Sequence, residues 1–239
     1  MLSKKVLKDI QSLALKKRRE ETSLFVAEGP KIVAELLQVA PHLVEAIYAT
    51  ESWILTNATN LDVTEISEVE LEKISQLKTP NQVLAIVRQF EISVPAAAEF
   101  TLYLDVIQDP GNFGTIIRIA DWFGIKQVVC SRGCADLYNS KVVQSTMASI
   151  ARVAVFYDDD ETWLRVQNEV IYAAALDGKP LPVFPKTEKG ILIIGNESAG
   201  IRKEFLTLAS QKVTIPRRGE AESLNAAVAT GIILSHFLS

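Results

Sequence analysis

The chain has 239 residues, 48% of them hydrophobic and 23% charged, and a net charge of −4. That is apolar material for one large or two small cores, and the acidic balance argues against bulk, nonspecific adhesion to nucleic acid. With two cysteines, no apolar segment behind Met1 and no apolar run near the roughly 20 residues of a membrane span, a disulfide framework, a signal peptide and a membrane anchor are not expected, which leaves a soluble, cytoplasmic protein.

Ser3 reads as a helix N-cap ahead of Val6, Leu7, Ile10, Leu13 and Ala14 at helical spacing, with lysines on the opposite face. From Lys4 to Arg19 there are seven basic residues against Asp9 alone. Lys16, Lys17, Arg18 and Arg19 are therefore candidate RNA-phosphate contacts, although a solvated helix face explains such a run equally well. Phe25-Val26-Ala27 reads as a short strand, and Pro30 opens a helix over Lys31–Val39. Short strands and helices continue to Val83–Arg88. The proline and alanine run of 91–100 then reads as a linker, which divides the chain into domains 1–95 and 96–239.

The second part repeats strand, glycine-bearing loop and helix. Strands are predicted at Thr101–Ile107, Gln127–Cys130, Ile171–Leu176, Ile191–Ile194 and Val213–Ile215, and a closing helix over Asn225–Leu238. Buried strands alternating with helices predict an α/β domain around a parallel sheet, whose ligands sit outside the strands' carboxyl ends. Three polar loops leave strands there. In Asp109–Arg118, Asn112 suits the cap of a helix predicted from Gly114, and Arg118 stands among isoleucines, where it must be paired or face a cleft. In Gly195–Ile201, Asn196 and Ser198 suit a tight turn beside the carboxylate of Glu197. In Ile215–Ala229, Pro216 ends the strand and Ser223 or Asn225 caps the last helix. None of the three is a dinucleotide or P-loop fingerprint. Cys130 and Cys134 have no second pair and few histidines to join them, so core packing is expected there and no metal site.

In this order, Asn112-x-Gly114-x-x-x-Arg118, Gly195-Asn196-Glu197-x-x-Gly200 and Ile215-Pro216 leading to Ser223-Leu224-Asn225 resemble the SpoU/TrmH-type ribose 2′-O-methyltransferases of the SPOUT superfamily. The N-terminal stretch Phe25–Gly29 with Glu35-Leu36-Leu37 resembles the small, ribosomal-protein-like substrate-binding domain that many members carry. The resemblance implies a C-terminal domain with a deep trefoil knot, a homodimer that completes the active site, S-adenosylmethionine as cofactor and structured RNA as substrate. Large-subunit (23S) ribosomal RNA is favoured over transfer RNA, because the ribosomal-RNA members carry the extra domain. Residue by residue, it makes Arg118 the catalytic arginine, with Asn112, Glu197, Ser223 and Asn225 in the site. The cofactor falls to Ala175, Leu176, Gly195, Asn196, Gly200, Ile215, Ser223 and Leu224. Arg217 and Arg218 depart from the family's usual residues and are further candidate RNA contacts. Two other readings remain at this point: a catalytically silent RNA-binding protein on the same scaffold, and an unrelated doubly wound nucleotide enzyme.

Overall fold

The computed structural model of the protein describes residues 1–57, 62–91, 94–95 and 99–239. Residues 92–93 and 96–98 of the expected linker, including the expected start of the second domain, lie outside the described residues. The chain forms two compact units, Met1–Glu91 with Asp136–Ala151, and Ile92–Ala135 with Arg152–Ser239.

The first unit runs α1 (Lys4–Ser12), α2 (Lys16–Thr22), β1 (Leu24–Glu28), α3 (Pro30–Val39), β2 (Val44–Ala49), α4 (Glu51–Thr56), β3 (Val63–Glu65), α5 (Glu68–Ile74) and β4 (Val83–Arg88). As expected, the Ser3 hydroxyl accepts from the Val6 amide, at 3.3 Å, and Pro30 occupies the first turn of α3. The sheet order is β1-β4-β2-β3, with β4 antiparallel to both β1 and β2. Its continuous apolar sequence follows from that inner position, since five of its six residues are buried. Ile10 and Leu13 pack with Leu71, Ile74, Leu84 and Ile86 in one cluster, which ties the basic N-terminal segment to the sheet.

The second unit contains β5 (Phe100–Asp105), α6 (Pro110–Trp122) and β6 (Gln127–Ser131). The chain then passes through α7 (Ser140–Thr146), which belongs to the first unit. It continues with β7 (Ala154–Asp158), β8 (Ile171–Pro180), β9 (Gly190–Gly195), α8 (Lys203–Leu206), β10 (Gln211–Thr214) and α9 (Ala226–Leu238). All six strands are parallel, in the order β10-β8-β9-β5-β6-β7. The central β5 is wholly buried, as its apolar sequence predicts. β7 escaped the sequence reading because an edge strand needs no apolar run, and only two of its five residues are buried. Helix α9 packs on α6, and Phe237 sits against Phe100, Tyr172 and Phe184.

Three details differ from the expectations. Helix α6 begins at Pro110, not at Gly114: the Asp109 side chain caps it by accepting from the Asn112 amide at 2.8 Å, and Pro110 fills the first turn. Strand β8 runs on to Pro180 but loses its register with β10 between Ala173 and Lys179, so Ala175 and Leu176 lie in an excursion within the strand. Arg19 is corrected as an RNA contact. It is 4% exposed and donates to the Leu13 and Ala14 carbonyls at 2.7 and 2.9 Å and to the Asp136 carboxylate. Two neighbours are also engaged, Lys16 with Glu20 at 3.6 Å and Arg18 with Glu21 at 3.1 Å, whereas Lys17 is exposed.

The returning segment completes the first unit. The Tyr138 ring lies tilted against Phe25 at 4.8 Å, and its hydroxyl accepts from the Phe90 amide at 2.9 Å. Gln144 donates to the Glu28 carbonyl at 2.9 Å. Among the described residues no helix is long and apolar enough to cross a membrane. Removing the Arg19 side chain leaves a half-buried carboxylate and two carbonyls without their donor, so Arg19→Ala is expected to cost about 2 kcal/mol in urea denaturation. Lys17→Ala should stay within about 0.5 kcal/mol. Unchanged stability in Arg19→Ala, together with weaker RNA binding, would reinstate Arg19 as a surface contact.

Candidate active site

The three polar loops meet through side chains. Asn225 caps α9, its Oδ1 accepting from the Ala227 and Val228 amides at 2.9 and 3.2 Å. That commits the oxygen and turns Nδ2 outward, where it donates to the Asn112 Oδ1 at 2.8 Å. The Asn112 Nδ2 then faces Glu197 and donates to Oε1 at 2.6 Å. The helix cap therefore sets the orientation of both amides and ends on a carboxylate. Asn112 is available for this because Asp109, not Asn112, caps α6.

The Glu197 loop is a tight turn for readable reasons. Asn196 Oδ1 accepts from the Ser198 and Ala199 amides at 2.9 and 3.0 Å, and backbone bonds join Asn196 and Gly200 in both directions. The remaining Asn196 Nδ2 donates to the Val106 carbonyl at 2.9 Å, which fastens the turn to the end of β5. The two glycines of the turn serve different purposes. Gly200 has φ +69° with open space around it, whereas a Cβ on Gly195 would stand 2.4 Å from the Gly200 carbonyl carbon.

One buried ion pair escaped the sequence reading. Asp105, fully buried at the end of β5, accepts from the Arg202 amide at 2.7 Å, from its Nε at 2.8 Å and from the Ser131 hydroxyl at 3.2 Å. Arg202 also grips Glu161 at 2.7 and 3.1 Å and lies over the Phe205 ring at 4.6 Å. Partial burial opposes its charge, but the bonds to Glu161 and Asp105 outweigh that and raise its pKa. An aspartate closing a buried strand was the one available signal, since such a charge demands a partner. Beside it, burial pushes the Cys130 thiol up, while its hydrogen bond to Cys134 lowers the latter. Cys134 accepts from the Ile107 amide at 3.3 Å, which makes the pair part of the packing under the first loop. Among the described residues no three metal-ligating side chains cluster.

The remaining expected residues are not gathered into this cluster. Arg118 is exposed and has no hydrogen-bond or ion-pair partner among the described residues. It is not buried among the isoleucines, because they point to other faces of α6: Ile116 and Ile117 are buried and Ile119 half-buried. Ser223 is exposed without a partner among the described residues, Arg217 bonds only the Ala221 carbonyl at 3.2 Å, and Arg218 is exposed. Beside the Asn112–Asn225 pair lies an open groove of about 510 Å³, lined by Thr115, Ile119, Val228 and Ile232.

Of the expected cofactor residues, Gly195 ends β9, Ile215 follows β10, and two leucines are exposed, Leu176 (76%) within the β8 excursion and Leu224 (47%) just before α9.

Fold and loops together define an RNA methyltransferase of the SpoU/TrmH kind. A Porphyromonas gingivalis chain assigned to the TrmH family of RNA methyltransferases superposes with a TM-score of 0.87 at 36% identity, covering 99% of this chain and 98% of the other. The AdoMet-bound rRNA methyltransferase of Sinorhizobium meliloti superposes at 0.84 with 31% identity, covering 99% and 95%. In sequence, the 23S rRNA (guanosine(2553)-2′-O)-methyltransferase RlmP of Bacillus subtilis is 34% identical over 238 residues, which is 96% of this chain and 94% of that protein. Residues 99–235 match the SpoU rRNA Methylase family, and residues 4–85 match the MRM3-like substrate binding domain. The chain belongs to the SpoU rRNA methylase family, with the smaller α/β domain at its N-terminus.

The two turn glycines generate a prediction. Gly200→Ala forces a left-handed alanine and should cost about 1 kcal/mol. Gly195→Ala must displace backbone and should cost about 3 kcal/mol or more. Equal losses for the two in urea denaturation would mean that the turn relaxes freely.

Proposed function

We propose that this protein methylates a ribose 2′-hydroxyl of 23S ribosomal RNA, using S-adenosylmethionine, as a cytoplasmic homodimer with a trefoil-knotted C-terminal domain. The observation that carries the reading is the hydrogen-bonded chain from Asn225 through Asn112 to Glu197, which joins all three family motifs. A catalytically silent scaffold has no need of this arrangement. Family membership, the matching N-terminal domain and the relatives that act on ribosomal RNA support the choice of substrate.

When bound, S-adenosylmethionine supplies an electrophilic methyl group on a sulfonium. Gly195, Asn196, Gly200, Ile215 and Leu224 hold it through main chain and apolar contact, with Ala175, Leu176 and Ser223 at the rim. Arg118 acts together with the RNA's own phosphate to position and polarise the 2′-hydroxyl, whose proton passes to that phosphate or to solvent as the methyl group is transferred. A guanidinium stays cationic in proteins, so its part is orientation and charge and not proton abstraction. Lys17 and Arg218 add phosphate contacts, with Lys16, Arg18 and Arg217 able to join once their present partners release them.

Among the described residues Arg118 has no carboxylate partner, and the groove between α6 and α9 exposes Val228 and Ile232 beside Asn112 and Asn225. Both features support a dimer in which this face is covered and Arg118 of one protomer serves the Asn112–Glu197 cluster of the other. The backbone approach at Gly195, and a second at Gly178, where a Cβ would stand 2.7 Å from the Lys212 carbonyl carbon, suit a closely threaded chain.

The direct test maps 2′-O-methyl groups in total RNA with and without the gene. One large-subunit nucleotide should lose its mark, and an unchanged map would sink the reading. Arg118→Lys keeps the charge but loses the planar fork and should lower turnover about 100-fold. Mixing inactive Arg118→Ala with inactive Glu197→Ala should restore about a quarter of the sites if each site draws on both protomers. No recovery on mixing would place the site within one chain.

A further inference from the structure

We infer that Asp105 and Arg202 form a positioning clamp for the methyl-transfer site: the pair holds the Glu197 turn and the strained first loop in one fixed relation. The inference rests on the proposed assignment of Glu197 and Asn112 to the active site, but its structural part can be tested without that assignment.

The clamp lies at the base of the two loops whose tips carry the candidate chemistry. Arg202 follows the turn Gly195–Ile201 directly, and both its backbone amide and its Nε donate to the one carboxylate of Asp105. Two donors from one residue fix the direction of the chain as well as its position. On the other side, Asp105 is followed at once by Val106, which has φ +56°. A β-branched residue in the left-handed region is strained and persists only where its surroundings hold it. Here the Val106 amide donates to Ser131 Oγ at 3.0 Å, the same hydroxyl donates to Asp105 at 3.2 Å, and the Val106 carbonyl accepts from Asn196 at 2.9 Å. The first loop then runs to Asp109 and Asn112, whose amide meets Glu197 at 2.6 Å.

The two loops are thus joined at both ends, by Asp105–Arg202 at the base and Asn112–Glu197 at the tip. A bond at the tip alone leaves each loop free to pivot. Arg202 can serve at the base because its outer nitrogens are held by Glu161 and its face by Phe205, so the fork reaches Asp105 already oriented. Lysine keeps the charge but cannot bond Asp105 and Glu161 at once in this planar geometry.

Arg202→Met, Arg202→Lys and Asp105→Asn separate this role from bulk stability. In the full-length protein, Arg202→Lys should remain folded by circular dichroism. Its kcat should fall by about tenfold to 100-fold and its KM for S-adenosylmethionine should rise, while its KM for RNA stays unchanged, because a misplaced loop affects the transfer geometry. Amide hydrogen exchange at Val106, Ile107 and 196–200 should quicken, with no change at β9. Arg202→Met should be more severe in every readout, so the lysine variant is a partial rescue. The proposal is overturned if Arg202→Lys keeps wild-type kcat and exchange, or if the activity of all three variants merely follows the fraction folded. If the wild type proves not to methylate RNA, the exchange result still decides whether the clamp exists.

Discussion

One hydrogen-bonded chain organises the C-terminal half of this molecule. The first turn of α9 has free amides that must be satisfied, and the Asn225 oxygen satisfies two of them. A local requirement of helix geometry thereby dictates which way an amide side chain points in the next loop, and that amide presents a donor to Glu197. The polarity of the chain admits no reversal, since flipping either asparagine would face oxygen to oxygen or nitrogen to nitrogen. Residues 113 positions apart are thus held by the most ordinary of structural needs. Preorganisation of this kind spares the site reordering when substrate arrives.

Much of the architecture was legible in the sequence because it depends on pattern. The apolar runs at Leu102–Leu104 and Ile191–Ile194 became the central parallel strands, and Ser3, Pro30 and Asn225 mark helix starts by local chemistry. Motif order carried the family, which the matches at 99–235 and 4–85 establish. What stayed hidden depends on contacts distant in sequence. Arg19 looks like the last member of a basic run, yet a carboxylate 117 positions away draws it inside. Asn112 looks like a cap because Asp109 and Asn112 are both good caps, and only the structure shows which one is used. Arg202 carries no sequence mark at all, since its importance comes from a partner on another strand.

The two arginine pairs, each with one buried member, show how position changes what a charge does. Arg19 joins Asp136 inside the first unit and Arg202 joins Asp105 inside the second, each with further donors or acceptors that complete its shell. Breaking the second pair costs more than forming it gains, because the Asp105 charge left behind is fully buried. Arg118 is the opposite case. An exposed guanidinium with no partner among the described residues adds little to the chain's own stability.

The segment Asp136–Ala151 has a consequence for how the protein is made. The cluster around Ile10, Leu71 and Leu84 draws only on residues up to 86, but Tyr138 against Phe25 and Gln144 against Glu28 are still missing when residue 91 has been synthesised. Those contacts come only once the segment Asp136–Ala151 has been made, after β5, α6 and β6. Vectorial synthesis normally lets an N-terminal domain fold first and alone. Here the order of birth and the order of completion differ, and the N-terminal half stays unfinished until the middle of the chain returns to it.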